Sequence, residues 1–263
     1  MSHINPKNIN KVYRAIVNKD TSGDFLPCVY VLEPTSNCNL QCIMCPNRKM
    51  SVENYGTIDY DLLDSALQKI SPTCEFLMLY WMGEPMLHDS LNKVLSLARK
   101  YIKGKIVLSS NMTAYDKKTY DSIVDNVDIV LCCIDRWDKV AYEKVRIGAE
   151  FENVVKNIER LIELNKEKRQ CEIVVKALDI KSSSEEWDNF KEYWDKKDAR
   201  PLLAWLSDWA GTFKNIRNLS SLDIPLEENQ RTPCADLWFK MIINWRGDVQ
   251  QCCFDWNYEN TIS

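Results

Sequence analysis

The sequence predicts an α/β fold built on a parallel β-sheet, and two observations support this. Six apolar runs alternate along the chain with longer segments whose apolar residues recur at helical spacing. The runs are almost continuously apolar, as in strands that helices cover on both faces of a sheet. Right-handed crossovers between successive strands then give an open sheet or a barrel. The predicted strands are residues 28–34, 76–82, 105–111, 127–135, 171–180 and 201–210.

The segments between these runs are predicted to be amphipathic helices. In residues 59–70, for example, Leu63, Leu67 and Ile70 lie on one helical face, which would pack on the sheet. The predicted helices are residues 59–70, 90–102, 117–126, 151–168 and 184–197.

The pattern changes after residue 210. Residues 211–238 show no clear period and are interpreted as a linker. Two apolar runs then flank Arg246-Gly247-Asp248, which predicts a turn and a small hairpin. The expected organisation is an N-terminal arm over residues 1–27, a main domain over 28–210 and a C-terminal segment over 211–263.

Composition excludes several classes of function. The net charge is −4 and no basic run occurs, so nucleic-acid binding is not expected. No stretch approaches the roughly 18 apolar residues of a membrane span, and the N-terminus lacks the apolar core of a signal peptide. A cytoplasmic location is therefore expected. The chain has 11 cysteines, and in a reducing compartment that number indicates metal or redox chemistry rather than disulfides.

Cys38, Cys42 and Cys45 form the densest cysteine motif, C-x3-C-x2-C, directly after the first predicted strand. Structural zinc sites and four-cysteine clusters close every metal position with protein ligands. Three thiolates on a four-iron cube leave one iron open to a small molecule. The alternatives are a zinc site and buried cysteines without a metal, although His3 and His88 are distant in sequence.

Polar or sulfur-bearing segments also follow the next three strands. Residues 82–85 follow the second strand, residues 109–111 end the third and residues 133–135 end the fourth. Because ligands bind at the carboxyl ends of parallel strands, we expect these segments and the cysteine motif to meet at one rim.

A C-x3-C-x2-C motif directly after the first strand of an alternating β/α chain resembles the radical S-adenosylmethionine (SAM) superfamily. The resemblance covers about residues 28–255 and implies a partial (β/α)6 TIM-like barrel. It also implies a 4Fe–4S cluster on Cys38, Cys42 and Cys45, with SAM on the open iron. In that family an electron cleaves SAM to a 5′-deoxyadenosyl radical, which abstracts hydrogen from a substrate. The electron would come from a donor such as a flavodoxin or a ferredoxin.

Further segments match that family. Met82-Gly83-Glu84-Pro85 resembles its GGEP motif, whose backbone contacts the SAM ammonium, and the segment 142–157 contains the match to its carboxylate-binding arginine. For that arginine, Arg146, the alternative is a surface ion pair. For Met44, which the resemblance places near the adenine of SAM, the alternative is a plain core contact. Cys133 stands where relatives often have a serine. The resemblance implies SAM contacts for Met44, Gly83, Glu84, Pro85, Ser109, Ser110, Asn111, Cys133, Asp135 and Arg146. No catalytic residue is assigned.

Cys234, Cys252 and Cys253 resemble the start of the auxiliary-cluster extensions called twitch and SPASM domains. Cys234 and Cys252 are the preferred ligands, with Cys253 as an alternative, because adjacent strand residues face opposite sides. Relatives supply further cysteines later in the chain, whereas this sequence ends at Ser263. A second iron–sulfur cluster, a shortened chain and a metal-free hairpin therefore remain open.

The substrate is the least determined part of the prediction. Relatives with such extensions modify ribosomal peptides or dehydrogenate sugars and aminocyclitols. Only about 28 residues precede the first strand, which favours a small molecule, or a peptide bound without an N-terminal recognition domain. A ribosomal-peptide maturase is the alternative enzyme, and a non-enzymatic iron–sulfur or zinc protein is the alternative from another class.

Overall fold

The computed structural model describes residues 6–168, 170–180, 182–213, 216 and 233–262. Nine strands form one sheet: β1 (Val29–Leu32), β2 (Phe76–Met78), β3 (Lys105–Ser110), β4 (Ile129–Asp135), β5 (Glu172–Leu178), β6 (Arg200–Ala204), β7 (Lys240–Ile243), β8 (Val249–Gln250) and β9 (Thr261–Ile262). The helices are α1 (Pro6–Asn18), α2 (Tyr60–Ile70), α3 (Leu91–Tyr101), α4 (Lys117–Asn126), α5 (Lys139–Val145), α6 (Phe151–Lys168), α7 (Ser184–Asp195) and α8 (Asp236–Phe239).

The sheet runs in the order β6-β5-β4-β3-β2-β1-β7-β8-β9. Strands β1 to β6 are parallel, and each pairs with its neighbour in sequence. This order confirms the predicted α/β fold, which corresponds to a partial TIM-like barrel. Several strands are shorter than predicted: β2 ends at Met78 and β6 at Ala204. The residues beyond those ends leave the ladder, and many of them line the cavity described below.

Four of the described helices begin at a short polar side chain that caps them. Asp59 accepts backbone N–H groups at the start of α2, Asp116 does so at α4, Asp138 at α5 and Ser183 at α7. The apolar faces of α2, α3, α4 and α6 are buried against the sheet in one continuous core. None of the helices that the structure describes is long and apolar enough to cross a membrane.

The C-terminal strands continue the same sheet. β7 pairs in parallel with β1, from Val29 opposite Lys240 to Leu32 opposite Ile243. β1 therefore has a neighbour on each side. β8 returns antiparallel to β7, and Gly247, at a φ of +89°, forms the predicted turn between them. Most of the linker predicted within residues 211–238 lies outside the described residues. The three domain boundaries stay a prediction.

The N-terminal arm contains a helix that the sequence analysis does not predict. Val12 and Ala15 of α1 are buried against Trp238 of α8, and the Trp238 indole Nε1 donates to the Asp20 carbonyl over 2.7 Å. The first and last parts of the described chain therefore pack on each other.

Candidate active site

A cavity of about 300 Å³ lies beyond the carboxyl ends of β1 to β5. Cys38, Cys42 and Cys45 all line it. So do all the predicted SAM-contacting residues except Pro85 and Asp135. The expected meeting of the four strand-end segments at one rim is therefore observed.

The loop that carries the three cysteines is held on both sides. Gln41 N donates to the Ile147 carbonyl, and Ile43 N donates to the Val145 carbonyl, each over 2.9 Å. The buried Asn47 side chain donates to the Ser36 carbonyl over 2.8 Å and to the Met82 carbonyl over 3.0 Å. These bonds fix the cysteine loop against both the segment after α5 and the loop after β2.

Arg146 lowers the pKa of all three thiols, but burial outweighs it. Burial raises the pKa of Cys38 to about 11 and the pKa of Cys45 to about 12, and it also raises the pKa of Cys42. Thiolates at these positions need a nearby cation, and an iron–sulfur cluster supplies one. Three soft sulfur donors on one buried wall fit such a cluster. Among the described residues, no group of three or more His, Cys, Asp or Glu side chains is arranged to hold a single metal ion.

Gly83 lies where the loop after β2 crosses the chain before the first cysteine. A Cβ atom on Gly83 would lie 2.1 Å from the Thr35 carbonyl oxygen and 2.7 Å from Ser36 Cα. Such contacts do not occur in proteins, so only glycine permits this approach. The next residue, Glu84, continues the crossing by donating its N–H to the Asn37 carbonyl over 2.8 Å.

The buried Glu84 carboxyl connects two rim segments. One of its oxygens accepts the Asn111 N–H over 2.6 Å, and the other accepts the Met86 N–H over 3.0 Å. Burial raises the pKa of Glu84, while these hydrogen bonds lower it. Glu84 therefore joins the loop after β2 to the end of β3.

Arg146 forms a buried ion pair with Asp135 at the end of β4. Its Nε and Nη2 atoms lie 2.7 and 2.6 Å from the same carboxylate oxygen, Oδ2. Arg146 is 8% exposed and Asp135 is 1% exposed, so the alternative of a surface ion pair is wrong. Asp135 Oδ1 is buried without a hydrogen-bond partner in the described part of the chain. The Arg146 guanidinium also lines the cavity, and its predicted contact with SAM stays a prediction.

Cys133 and Ser109 approach each other on adjacent strands. Their Sγ and Oγ atoms are 3.3 Å apart, and Cys133 is buried. The thiol therefore takes a polar partner at the position where related chains often carry a serine.

Several cavity residues are absent from the sequence-based prediction. Lys176 projects from β5, and an aromatic and apolar group lies around it: Tyr80, Trp81, Leu178, Trp205, Leu206 and Trp209. A lysine inside an otherwise apolar strand was the available signal for Lys176. The aromatic residues follow strand ends, where an apolar run alone does not distinguish strand from rim.

Glu33 is a second residue that the sequence analysis misses. It is fully buried just after β1, where it accepts the Met82 N–H over 3.0 Å and the Tyr258 hydroxyl over 2.8 Å. The Trp245 N–H adds a longer bond of 3.3 Å. Burial raises the pKa of Glu33 to about 7. This one carboxyl joins the loop after β2 to the C-terminal segment.

The second set of cysteines lies in a different environment. Cys234 and Cys252 are exposed and Cys253 is half-buried. Burial raises the pKa of Cys253 to about 11, with smaller contributions from Cys252 and Cys234. The Cys253 carbonyl accepts the Trp81 indole N–H over 3.3 Å. This set therefore lies beside the rim of the cavity rather than within its lining.

Known proteins resemble this chain at two levels. In sequence, a probable GTP 3′,8-cyclase of Methanococcus maripaludis strain S2 is 29% identical over 144 residues, which cover 51% of this chain and 45% of the relative. The same protein from strain C6 is 28% identical over 144 residues, with the same coverage. This chain thus spans about half the length of the curated relatives it matches.

Solved structures share the fold over most of the chain. Streptococcus suis SuiB bound to the precursor peptide SuiA superposes with a TM-score of 0.72 at 16% identity, covering 100% of this chain and 68% of SuiB. BtrN in complex with AdoMet and 2-DOIA superposes with a TM-score of 0.60 at 16% identity, covering 91% of this chain and 78% of BtrN. Histidine-tagged anSMEcpe with bound AdoMet superposes with a TM-score of 0.62 at 17% identity, covering 90% of this chain and 77% of anSMEcpe.

The family match covers the part of the chain that builds the cavity. Residues 32–176 match the radical SAM superfamily, a span that runs from the end of β1 through the cysteine motif to Lys176 in β5. This span is more than half of the chain. Membership of this family implies a 4Fe–4S cluster and SAM as cofactors. The chain belongs to the radical SAM superfamily.

Proposed function

We propose that this protein cleaves SAM reductively and uses the resulting radical to abstract hydrogen from a C–H bond of a peptide or small-molecule substrate. The observation that carries the proposal is the position of three thiols, one buried and two half-buried, on the wall of one cavity that also contains the rim segments of β2, β3 and β4. Family membership supports the chemistry, because the three-cysteine motif leaves one iron of a four-iron cluster open to SAM.

In this proposal Cys38, Cys42 and Cys45 ligate the cluster. When bound, the cluster supplies the electron that cleaves SAM. The cysteine loop does not have to be ordered by metal alone, since its backbone is already paired to residues 145–147. Preorganisation of this kind lowers the cost of binding.

The remaining contacts would orient SAM. Gly83 supports this role because its lack of a side chain brings the loop backbone close to the chain that precedes Cys38. Arg146 supports it because Asp135 fixes the guanidinium at the cavity wall, where a planar fork suits a carboxylate. The proposed SAM contacts are completed by Met44, Glu84, Pro85, Ser109, Ser110, Asn111, Cys133 and Asp135.

The substrate and the electron source are assigned by class. SuiB was crystallised with a precursor peptide and BtrN with a small molecule, and either class is compatible with the cavity volume. An electron donor such as a flavodoxin or a ferredoxin, acting in the cytoplasm, completes the proposal. Neither nucleic acid nor membrane is proposed as a partner.

We further propose that residues 211–263 form a twitch- or SPASM-like segment, following a 28–210 radical SAM domain and a 1–27 arm. Cys234 is close enough to Cys253 to affect its pKa, which supports an auxiliary iron–sulfur cluster. The exposure of Cys234 and Cys252 favours the alternative of a metal-free hairpin.

The test is anaerobic reconstitution with iron and sulfide, followed by SAM titration and measurement of 5′-deoxyadenosine. We expect about four irons at the first site and dithionite-dependent release of 5′-deoxyadenosine. Iron binding without SAM cleavage would favour the non-enzymatic iron–sulfur protein, and zinc binding without iron would favour a zinc protein.

A further inference from the structure

Lys176 introduces a positive charge into the wall of the cavity. Its ammonium group makes no hydrogen bond and no ion pair with any residue that the structure describes, although the residue lines the cavity wall. Lysine is rarely buried in a strand unless something pairs with it. A ligand in the cavity can therefore supply a group that pairs with Lys176.

Arg146 provides the contrast within the same cavity. Asp135 neutralises Arg146 through two contacts to one oxygen. The neighbouring Cys133 and Asp135 side chains raise the pKa of Lys176 above its usual range, although burial lowers it. Lys176 therefore keeps its proton at neutral pH. Arg146 is thus held in place by a protein carboxylate, whereas no described carboxylate contacts Lys176.

The surroundings of Lys176 restrict the rest of that ligand. Trp205 and Leu178 line the same cavity, and Trp205 is 68% exposed. Trp209 lies nearer the cluster loop, because its indole N–H donates to the Met44 carbonyl over 3.0 Å. Exposed aromatic surface next to a cavity usually contacts a ligand. The ligand therefore combines an anionic group with an apolar or aromatic body.

We propose that Lys176 and the aromatic wall formed by Trp205 and Trp209 are the substrate subsite, and that the substrate presents a carboxylate to Lys176 and an apolar or aromatic body to the wall. This inference rests on the proposed function, since it names the class of molecule on which the radical acts. SAM also carries a carboxylate, so the two sources of the same group must be separated. Because Arg146 also lines the cavity, we assign the SAM carboxylate to Arg146 and the substrate carboxylate to Lys176.

The experiment uses the cluster-loaded, SAM-bound protein and two probes of the same shape, phenylacetate and phenylacetamide. Anaerobic calorimetry measures the affinity of each probe. We expect the acid to bind about tenfold more tightly than the amide. That preference should disappear in Lys176→Met and persist in Lys176→Arg, which keeps the charge. The matched control is Lys166→Met, since Lys166 is exposed and pairs with Glu163; it should keep the preference.

Trp205→Ala tests the aromatic half of the subsite. It should weaken the binding of phenylacetate and of phenylacetamide equally, by about tenfold, because stacking on an aromatic ring does not distinguish the two probes. Equal binding of the two probes by the native protein, or no binding of the acid at about 10 mM, would overturn the proposal. So would an acid preference that survives Lys176→Met.

A second measurement, the dissociation constant of SAM, tests whether Lys176 binds SAM instead of the substrate. Lys176→Met should leave the SAM dissociation constant within about twofold of the native value. A loss of tenfold or more would assign Lys176 to the SAM carboxylate and overturn the substrate subsite. Because the probe measurements need no turnover, their failure is distinguishable from failure of the proposed function, which would appear as absence of SAM cleavage.

Discussion

The two sets of three cysteines in this chain lie in different surroundings. Cys38, Cys42 and Cys45 line one cavity, on a loop whose backbone is paired on both sides. Cys234 and Cys252 are exposed, and Cys253 is half-buried beside the rim. Thiols that line a cavity and are partly withdrawn from water are stabilised as thiolates by a metal cluster, whereas exposed thiols remain solvated without one. Burial and support, more than cysteine spacing, separate the two sets.

Removing each set in turn gives the largest expected effect. Changing Cys38, Cys42 and Cys45 together to alanine should abolish 5′-deoxyadenosine formation, because no open iron remains. The matched control changes Cys234, Cys252 and Cys253 to alanine and should keep SAM cleavage. SAM cleavage that survives loss of the first set would break the comparison.

Iron per chain measures whether the second set also binds a cluster. A difference of about four irons between native protein and the Cys234, Cys252 and Cys253 variant would mean that an auxiliary cluster forms. Substitution is a better test than truncation after residue 210, because truncation would also remove β7 from its pairing with β1. Equal iron contents would establish the metal-free hairpin.

The buried ion pair between Arg146 and Asp135 gives the next largest expected effect. Arg146→Met removes the cation that contacts the buried Asp135 carboxylate and should lower the free energy of unfolding by about 3–5 kcal/mol. Arg146→Met combined with Asp135→Asn should recover part of that loss, since no charge remains. The control beside the second cysteine set is Lys240→Met, which removes a partly exposed pair with Asp236 and should cost about 0–1 kcal/mol. Urea unfolding measures all three.

The same variants test the proposed role of Arg146 in SAM binding. If the double variant folds with its cluster intact, its SAM affinity should be roughly 10- to 150-fold weaker than native, since a charged hydrogen bond is lost. An unchanged dissociation constant would leave Arg146 with a purely structural role.

Gly83→Ala tests how closely the loop after β2 must approach the cysteine loop. The new methyl group would meet the Thr35 carbonyl, so the backbone must shift, at a cost of about 1–3 kcal/mol. SAM affinity should fall by about tenfold or more. Gly23→Ala is the control, because that exposed position has a φ of +77° and nothing within 4 Å, so the alanine adds backbone strain but no contact with the cysteine loop. Equal SAM affinities in both variants would contradict the proposed role of Gly83.

Tyr258→Phe gives the smallest predicted effect and tests the link between the two regions. Burial raises the pKa of Glu33 to about 7, so between about pH 4.5 and 7 the folded state binds the extra proton, and this group's contribution to stability falls as pH rises. The Tyr258 hydroxyl donates to the ionised carboxyl and offsets that loss. Its removal should cost about 2 kcal/mol at pH 8 and about 1 kcal/mol at pH 5.5. A pH-independent cost would contradict the ionisation of Glu33.

Local sequence patterns predict the alternating strands and helices, and the cysteine motif predicts the rim, because strand polarity places successive strand ends together. They do not predict contacts between distant segments. The pairing of β7 with β1, the bond from Tyr258 to Glu33 and the exposure of Lys176 to the cavity all depend on tertiary packing. Helix α1, by contrast, could have been predicted from the sequence, since Ile9, Val12 and Ile16 show helical spacing.

The most direct test of the central claim is electron–nuclear double resonance on the reduced, reconstituted protein with ¹⁵N-labelled SAM. If Cys38, Cys42 and Cys45 leave one iron open, the nitrogen of the SAM amino group should couple to the cluster in native protein. The coupling should persist in the variant that lacks Cys234, Cys252 and Cys253. Absence of coupling in a native protein that holds its cluster, or its loss only when the second set is removed, would contradict the account.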